Sequence, residues 1–272
     1  MIIHADLTFL GSGASLGVPV IGCDCPVCRS GDIHNKRTRP SVILKVGNKQ
    51  ILIDCGPDFR QQALRENITT LDAIIATHTH YDHIGGYDDL RPFFGHKVGR
   101  RKESLPCLLS HETAEDIVKR FDYMFKPREP GQVLLPLIQF NYLDGDRGVI
   151  IYEGLKLRYL SYSQAGMKVN GFVCGNLAYT SDIKDYPETI FEDLKGVEVL
   201  IISALRFTPS NVHLTVDEAV DFANRVGAKS TWLTHLSHEL DHEKTNAYLP
   251  SNVRMAYDGL QIKFYAEVET DA

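Results

Sequence analysis

The sequence predicts a layered fold of the α/β or α+β class, and three observations support this. Short apolar runs rich in β-branched residues recur along the chain, as in Ser41–Val46 and residues 197–202. Segments with helical spacing of apolar residues lie between them, as in residues 215–226. No low-complexity linker or internal repeat interrupts the 272 residues, of which 43% are hydrophobic. Strands and helices that each bury one face favour sheets covered by helices, so we expect one domain over residues 1–272.

Composition limits the function classes. The net charge is −6, which gives no global basic field to attract nucleic acid or an anionic membrane. No apolar run approaches the roughly 20 residues that a membrane-spanning helix needs. The first residues lack the basic start and apolar stretch of a secretory signal. We therefore expect a cytoplasmic protein.

The first third of the chain predicts strands joined by tight turns. The dense glycines of residues 11–19 follow a short β-type run and indicate a tight loop. A dinucleotide-binding loop is not favoured there, because no helical pattern follows. Gly47 and Asn48 separate two apolar runs and predict a hairpin turn. The predicted elements are strands over 6–10, 41–46, 50–54 and 71–77 and a helix over 59–67.

The rest of the chain also alternates between predicted strands and predicted helices. Residues 87–137 are interrupted by prolines and charged residues, and we expect them to form an insertion at the pocket rim. The predicted strands and hairpins are 105–110, 133–140, two within 148–160, 171–182, 197–202, 230–234 and a closing pair within 255–267, and the predicted helices are 112–125 and 214–226.

Three of the six cysteines are bunched in one loop, residues 22–29, as Cys23, Cys25 and Cys28. Thiolates this close, with Pro26 fixing the turn, can supply three corners of a tetrahedral structural Zn²⁺ site. In a reducing compartment bunched cysteines indicate a metal rather than disulfides. The alternative is three free surface thiols, which an exposed loop seldom retains because they oxidise. The fourth ligand must come from elsewhere in the chain.

Four ligand-type side chains stand within six residues: His78, His80, Asp82 and His83. They directly follow the buried strand predicted over 71–77. In an extended segment the first two point the same way, and the last two can reach a second point as the chain turns at the following glycines. Imidazole and carboxylate suit zinc, manganese or iron. A solvated polar loop has no reason to place these four residues directly after a strand, so we predict a metal centre.

The pattern His-x-His-x-Asp-His resembles the signature of the metallo-β-lactamase-fold hydrolases. The motifs run in the order Gly-rich loop, Cys-x-Cys-x-x-Cys, Asp-Cys-Gly-Pro-Asp, His-x-His-x-Asp-His, Ser-Asp, a lone His and Thr-His-x-x-His. This order most resembles the phosphoribosyl 1,2-cyclic phosphate phosphodiesterase branch, which is related to the tRNA 3′-processing nucleases. The resemblance covers nearly the whole chain. It implies a four-layer αββα sandwich and a metal-dependent phosphodiesterase that acts on a cyclic phosphate or another small phosphodiester through a metal-activated water.

The resemblance also implies a metal site with one or two catalytic ions, Zn²⁺ or Mn²⁺. The residues carried over as ligands are His78 and His80 for the first ion, Asp82, His83 and His235 for the second, and Asp182 as the bridge between them.

Further roles follow from the same resemblance. His213 would be the general acid for the leaving oxygen, and it is assigned as catalytic together with Asp82. Asp54 would orient the metal-site histidines. His238 would complete the structural Zn²⁺ site with the three cysteines.

One position departs from the family pattern. Where the family has a further histidine ligand for the first ion, this chain has Gln164. An amide oxygen is a weaker ligand than imidazole, so we expect the first ion to be bound loosely or to be a harder ion such as manganese. If they face the site, three arginines would hold a substrate phosphate: Arg37, Arg39 and Arg60.

The sequence leaves two other functional classes open. One is a tRNA-processing nuclease or a thioester hydrolase on the same fold, and the acidic net charge disfavours a tRNA substrate. The other is a non-catalytic member that binds a metabolite, because Gln164 replaces a ligand. The presence of His213 and the complete second ligand set disfavour this alternative. We expect a small phosphorylated substrate and no membrane partner, and a homodimer is left open.

Overall fold

In the computed structural model, residues 1–94, 103–126 and 137–269 are described. These residues form two seven-stranded sheets that pack face to face, with helices on the outer face of each. The four layers have the order helix, sheet, sheet, helix. This arrangement confirms the αββα sandwich that the sequence predicts.

The first sheet has the strand order β14-β1-β2-β3-β4-β5-β6. The strands from β14 to β3 pair antiparallel, and those from β3 to β6 pair parallel. Parallel neighbours end at the same edge of a sheet, which brings the loops after β3, β4 and β5 together. The strands are β1 Ile2–Gly11, β2 Ser41–Val46, β3 Lys49–Ile53, β4 Ala73–Ile75, β5 Leu105–Leu109, β6 Ile138–Tyr142 and β14 Gln261–Glu267.

The second sheet has the order β13-β12-β11-β10-β9-β8-β7. Its strands β10 to β13 are parallel, whereas β7, β8, β9 and β10 form an antiparallel meander. The loops after β10 and β12 therefore emerge at one edge. The strands are β7 Arg147–Tyr152, β8 Leu155–Gln164, β9 Met167–Cys174, β10 Leu177–Thr180, β11 Val199–Ser203, β12 Ser230–Thr234 and β13 Val253–Met255.

Alternate strand residues build the core between the sheets. In β2, Val42 and Leu44 face this inner core, whereas Ile43 faces the outer helical layer. In β8, Leu157 faces the inner core and Leu160 the opposite outer layer. Burying one such side chain stabilises the fold by about 1.5–3 kcal/mol. Strands buried on both faces are near-continuous apolar runs, which is why the sequence predicts them well.

The helices are short apart from two amphipathic ones that cover the sheets. A capping box between Thr215 and Glu218 begins the longest, and Gly227 ends it in the left-handed conformation. The helices are α1 Pro26–Arg29, α2 Phe59–Arg65, α3 Tyr81–Ile84, α4 His111–Arg120, α5 Asp122–Phe125, α6 Ile190–Asp193, α7 Val216–Val226 and α8 His242–Tyr248.

The region expected to be a pocket-rim insertion, 87–137, needs correction. β5 lies within the first sheet, hydrogen-bonded between β4 and β6, so this part of the region is core rather than rim. The helix predicted over 112–125 is interrupted at Phe121. Residues 95–102 and 127–136 lie outside the described residues, and so does the start of the strand predicted over 133–140. Within the described ranges, no helix has both the length and the apolar character needed to cross a membrane.

Candidate functional site

The predicted ligand residues meet at the edge where parallel strands of both sheets end. The four-residue motif follows β4, Asp182 follows β10 and His235 follows β12. Asp54, Asp182 and His235 have φ of 62°, 57° and 58°, in the left-handed region that non-glycine residues seldom adopt. Such backbone strain costs on the order of 1–3 kcal/mol per residue and is concentrated at functional sites. These three residues are therefore held in place by their surroundings.

Asp182 lies at the centre of the site, where nitrogens of three histidines surround its carboxylate. Its Oδ1 is 3.3 Å from His83 Nε2, and its Oδ2 is 3.4 Å from His235 Nε2 and 3.8 Å from His78 Nε2. The carboxylate is 1% exposed. Burial opposes its charge, but the surrounding histidines lower its pKa well below the usual value for an aspartate. We call Asp182 and its partners the strand-end cluster, which consists of His78, His80, Asp82, His83, Asp182, His213 and His235.

The residues predicted to hold the second ion are close together. His235 Nε2 is 3.3 Å from Asp82 Oδ2, and His83 Nε2 is 3.6 Å from the same oxygen. The donor atoms of these three residues all lie within 4.8 Å of one another. Asp82 keeps a pKa well below its usual value despite burial, because the two imidazoles favour its charge. This is a compact set of two imidazoles and a carboxylate.

The residues predicted to hold the first ion form a less complete group of donors. His78, His83 and Asp182 form a group within 4.8 Å. His80 Nδ1 lies 3.2 Å from His78 Nε2, so the two rings do point the same way as predicted. His80 is exposed at the rim. Across the part of the chain that the structure describes, it belongs to no group of three donors within 4.8 Å.

Asp54 orients His83, as the sequence predicts. Asp54 Oδ2 is 2.7 Å from His83 Nδ1, which directs the opposite ring nitrogen, Nε2, toward Asp82 and Asp182. Thr77 fixes Asp54 in turn, since its backbone N–H and its hydroxyl both donate to the carboxylate. Sequence reasoning missed Thr77, although its position directly before the histidine motif was a usable signal.

The buried donors fit a metal ion. His83 Nε2 is buried without a hydrogen-bond partner, although it faces two carboxylates. Burial alone would lower the His83 pKa, but Asp182, Asp54 and Asp82 raise it well above its ordinary value. The negative charge of these three carboxylates favours a proton on His83, and it favours a bound cation for the same reason. Neutral imidazole and carboxylate are ligands of zinc and manganese, so the donor set fits the catalytic ions that the family implies.

His213 and Gln164 complete the wall of the site. His213 is buried, and this burial together with nearby His235 lowers its pKa to about 4. Its ring is therefore neutral at neutral pH. The predicted general acid then carries one ring N–H and no positive charge. His213 Nδ1 lies 3.8 Å from Asp182 Oδ2. Gln164 Nε2 lies 3.2 Å from the same oxygen.

A second group of donors forms the cysteine cluster, which consists of Cys23, Cys25, Cys28 and His238. Cys23 Sγ and Cys25 Sγ lie 3.3 and 3.5 Å from His238 Nδ1, and all four donor atoms fall within 4.8 Å. The backbone N–H of Cys28 lowers the Cys25 pKa to about 6, which favours the thiolate. All three thiols are free of disulfides. Three sulfurs and one imidazole fit a structural Zn²⁺ ion.

The prediction that Arg37 holds a substrate phosphate is wrong. Arg37 is 2% exposed, and its guanidinium donates to the carbonyls of His34, Ser237 and Leu240 and to the side chain of Asn35. It joins the segment after the cysteine loop to the turn between His235 and α8. Burial lowers its pKa to about 10, which leaves it charged.

Arg39 and Arg60, the other two arginines predicted to hold a substrate phosphate, make their contacts elsewhere. Arg39 binds both carboxylate oxygens of Asp58 and the carbonyl of Ser15. Arg60 lines a separate cavity of about 330 Å³ between α2 and the 3₁₀ helix Tyr87–Phe93.

Close backbone contacts hold the glycine-rich loop and the histidine motif. Leu236 exchanges backbone hydrogen bonds with Ser12 and Ala14, which places the loop directly beside His235. A Cβ on Gly56 would lie 2.0 Å from the carbonyl oxygen of Asp82, so only glycine fits there.

Comparison with known proteins agrees with this geometry. The family model described as "Beta-lactamase superfamily domain" matches residues 49–236. The chain belongs to this superfamily. A solved diphosphatase of the PhnP family is 38% identical, with a TM-score of 0.90, and the match covers 98% of this chain and 99% of that one. The chain belongs to the PhnP family as well, and the superfamily predicted from the sequence is confirmed.

Two curated relatives carry other names. The octanoyltransferase of Porphyromonas gingivalis (strain ATCC BAA-308 / W83) is 38% identical over 256 residues, which cover 93% of this chain. The chain spans only 50% of that protein's length. Ribonuclease Z of Methanopyrus kandleri is 24% identical over 258 residues, which cover 84% of this chain and 92% of that protein.

Proposed function

We propose that this β-lactamase-superfamily protein is a metal-dependent hydrolase of a small phosphorylated substrate, and that it cleaves a phosphodiester or cyclic phosphate linkage. The observation that carries the proposal is the position of Asp182 within 3.3–3.8 Å of nitrogens from three histidines, two of which follow β4 and one β12. The name of the PhnP-family relative, a diphosphatase, supports hydrolysis of a phosphorus–oxygen bond.

The residues have distinct roles in this proposal. Asp82, His83 and His235 would hold one ion, His78 and His80 the other, and Asp182 both. When bound, the cations would withdraw charge from the phosphate and lower the pKa of a nearby water. Zn²⁺ or Mn²⁺ would suit this donor set, and Zn²⁺ would suit the cysteine cluster.

The chain itself would orient the reaction. Asp54 holds His83 in one ring orientation by a 2.7 Å contact, and burial shields the donors of the cluster other than His80 from bulk water. His213 would donate its remaining ring N–H to the leaving oxygen as that oxygen gains negative charge. A neutral imidazole can do this as a hydrogen-bond donor without first taking up a proton.

Hydrolysis of bis(p-nitrophenyl) phosphate by protein reconstituted with Mn²⁺ or Zn²⁺ tests the proposal. A panel of cyclic nucleotides, cyclic sugar phosphates and diphosphates would then define the substrate. We expect His80→Ala to lose turnover and His4→Ala, an exposed histidine on β1, to retain it. No turnover by the wild-type protein with any of these substrates would contradict the proposal and favour a metabolite-binding role.

A nuclease is the second candidate, because the match to ribonuclease Z covers 92% of that protein. Cleavage of a precursor tRNA at rates above those for small phosphodiesters would favour it. We do not propose octanoyl transfer. The chain spans half of the octanoyltransferase, whereas the diphosphatase matches the chain at the same identity over nearly the whole length of both.

A further inference from the structure

Gln164 is a buried amide that stands where the superfamily places a histidine ligand. It ends β8 at the hairpin to β9, pairs with Met167 and is 2% exposed. Its Nε2 is 3.2 Å from Asp182 Oδ2 and 3.0 and 3.2 Å from the two ring nitrogens of His213. Its Oε1 is buried and has no hydrogen-bond partner in the protein.

Chemistry decides which end of the amide faces Asp182. A carboxylate oxygen only accepts hydrogen bonds, so the group 3.2 Å from it must be the donating NH₂. The opposite orientation would place two acceptor oxygens against each other in a buried site. The amide oxygen of Gln164 therefore points away from Asp182, the residue expected to bridge the two ions.

The same amide constrains His213. An N–H can donate only to a ring nitrogen that carries a lone pair, so the contact requires that one of the two ring nitrogens near the amide accepts its hydrogen bond. Asp182, at 3.8 Å, and the His235 ring, with centroids 4.4 Å apart, also face this ring, and His83 and Asp82 act on it from further away. Gln164 is the residue in direct hydrogen-bond contact with both His213 and Asp182.

We propose that Gln164 is a positioning residue that holds Asp182 and the His213 ring through its amide N–H groups, and is not a ligand of the first ion. This inference deepens the proposed function and rests on it. The first ion is then left with His78, His80 and Asp182, whereas the second keeps Asp82, His83, His235 and Asp182. The two metal positions in this chain are therefore unequal in affinity.

Two substitutions test the inference in full-length protein reconstituted with Zn²⁺. Gln164→Met keeps the length of the side chain but removes both the N–H donors and the oxygen. Gln164→His restores an imidazole to the position. Gln61→Met, on the exposed face of α2, is the matched control. Thermal melts confirm that each variant is folded before it is compared.

The readouts are bound Zn²⁺ per chain after dialysis, Zn²⁺ affinity by titration, side-chain ¹⁵N shifts of His213, and kcat and KM. We expect Gln164→Met to keep the wild-type number of bound Zn²⁺ ions, to lose about 10-fold in Zn²⁺ affinity because Asp182 is less well held, to mix the His213 tautomers and to lose about 10-fold in kcat with little change in KM. We expect Gln164→His to tighten binding of the first ion by about 10- to 100-fold, since it adds a ligand.

Two results would overturn the inference. A crystal structure of the zinc-loaded protein with Gln164 Oε1 about 2.0–2.2 Å from an ion would show that the amide oxygen is a ligand. Unchanged His213 shifts together with unchanged kcat would show that Gln164 positions nothing. The metal and ¹⁵N measurements need no turnover, so they test this inference even if the wild-type protein hydrolyses none of the phosphodiesters assayed.

Discussion

The strand-end cluster and the cysteine cluster both bring together side chains that can bind a metal ion, but they are built in different ways. Three of the four ligands of the cysteine cluster come from one six-residue loop and need only its local turn, and all of them except the buried Cys28 are half-buried. The strand-end cluster takes its ligands from the ends of three strands in two sheets, and His78, His83, Asp182 and His235 are each 0–1% exposed. One turn therefore brings three ligands of the cysteine cluster together and only His238 must come from elsewhere, whereas the strand-end cluster requires both sheets to be in place.

The two clusters are nevertheless joined. His235 and His238 lie three residues apart on one turn, and Arg37 binds the Ser237 carbonyl between them at 3.0 Å. The glycine-rich loop contacts Leu236 from the other side. We infer that Zn²⁺ in the cysteine cluster would stabilise the segment that carries a catalytic ligand, and the following substitutions test how separate the clusters are.

The largest effect is expected from Asp182→Asn. The change removes a charge that faces three histidines, so turnover of bis(p-nitrophenyl) phosphate should fall by about 10³-fold. Bound metal should fall as well, as measured by elemental analysis, while zinc in the cysteine cluster remains. Asp144→Asn, whose side chain is 95% exposed, is the control. Turnover within a factor of two of wild type would disprove a central role for Asp182.

Cys25→Ser should act chiefly on stability. Loss of the zinc held by the cysteine cluster is expected to cost about 3 kcal/mol, which lowers Tm by roughly 6–12 °C for a chain of this size. Asp24→Ala removes only a surface ion pair with Arg29 and should change Tm little. A loss of turnover at 25 °C as large as that of Asp182→Asn would show that the two clusters are not separable.

Asp54→Asn should weaken the strand-end cluster without removing a ligand. The amide cannot accept hydrogen bonds as strongly from Thr77 and His83, so metal affinity or kcat/KM should fall by about 10- to 100-fold. Asp72→Asn, on the loop before β4, provides a comparison away from the site. If metal affinity and kcat/KM match wild type, the contact of Asp54 with His83 is not functional.

The smallest effect is expected from Arg37→Lys. A lysine ammonium cannot reach all four acceptors, so unpaired buried carbonyls should lower the free energy of unfolding by about 1–2 kcal/mol. Denaturant unfolding measures this, with the exposed Arg29→Lys as control. Unaltered stability would argue against Arg37 as the connection between the two clusters.

Much of this architecture could be predicted because its signals are local. The strands Ser41–Val46 and Ser230–Thr234 have the predicted bounds, since β-branched runs buried on both faces are distinctive. The position of Asp182 was predicted only because the resemblance supplied it. The burial of Arg37 was not predicted, because a basic residue among surface-type neighbours gives no sign that backbone carbonyls will surround it.

The sequence by itself determined the chemistry of both sites: the donors of His78–His83 stand next to one another on the chain, and so do those of the cysteine loop. Only the tertiary structure decided which distant partners join them and in which orientation. Asp182, His213 and Gln164 meet because parallel strands of one sheet and a hairpin of the same sheet end at a common edge. That meeting depends on the packing of the whole sandwich, which no short stretch of sequence encodes.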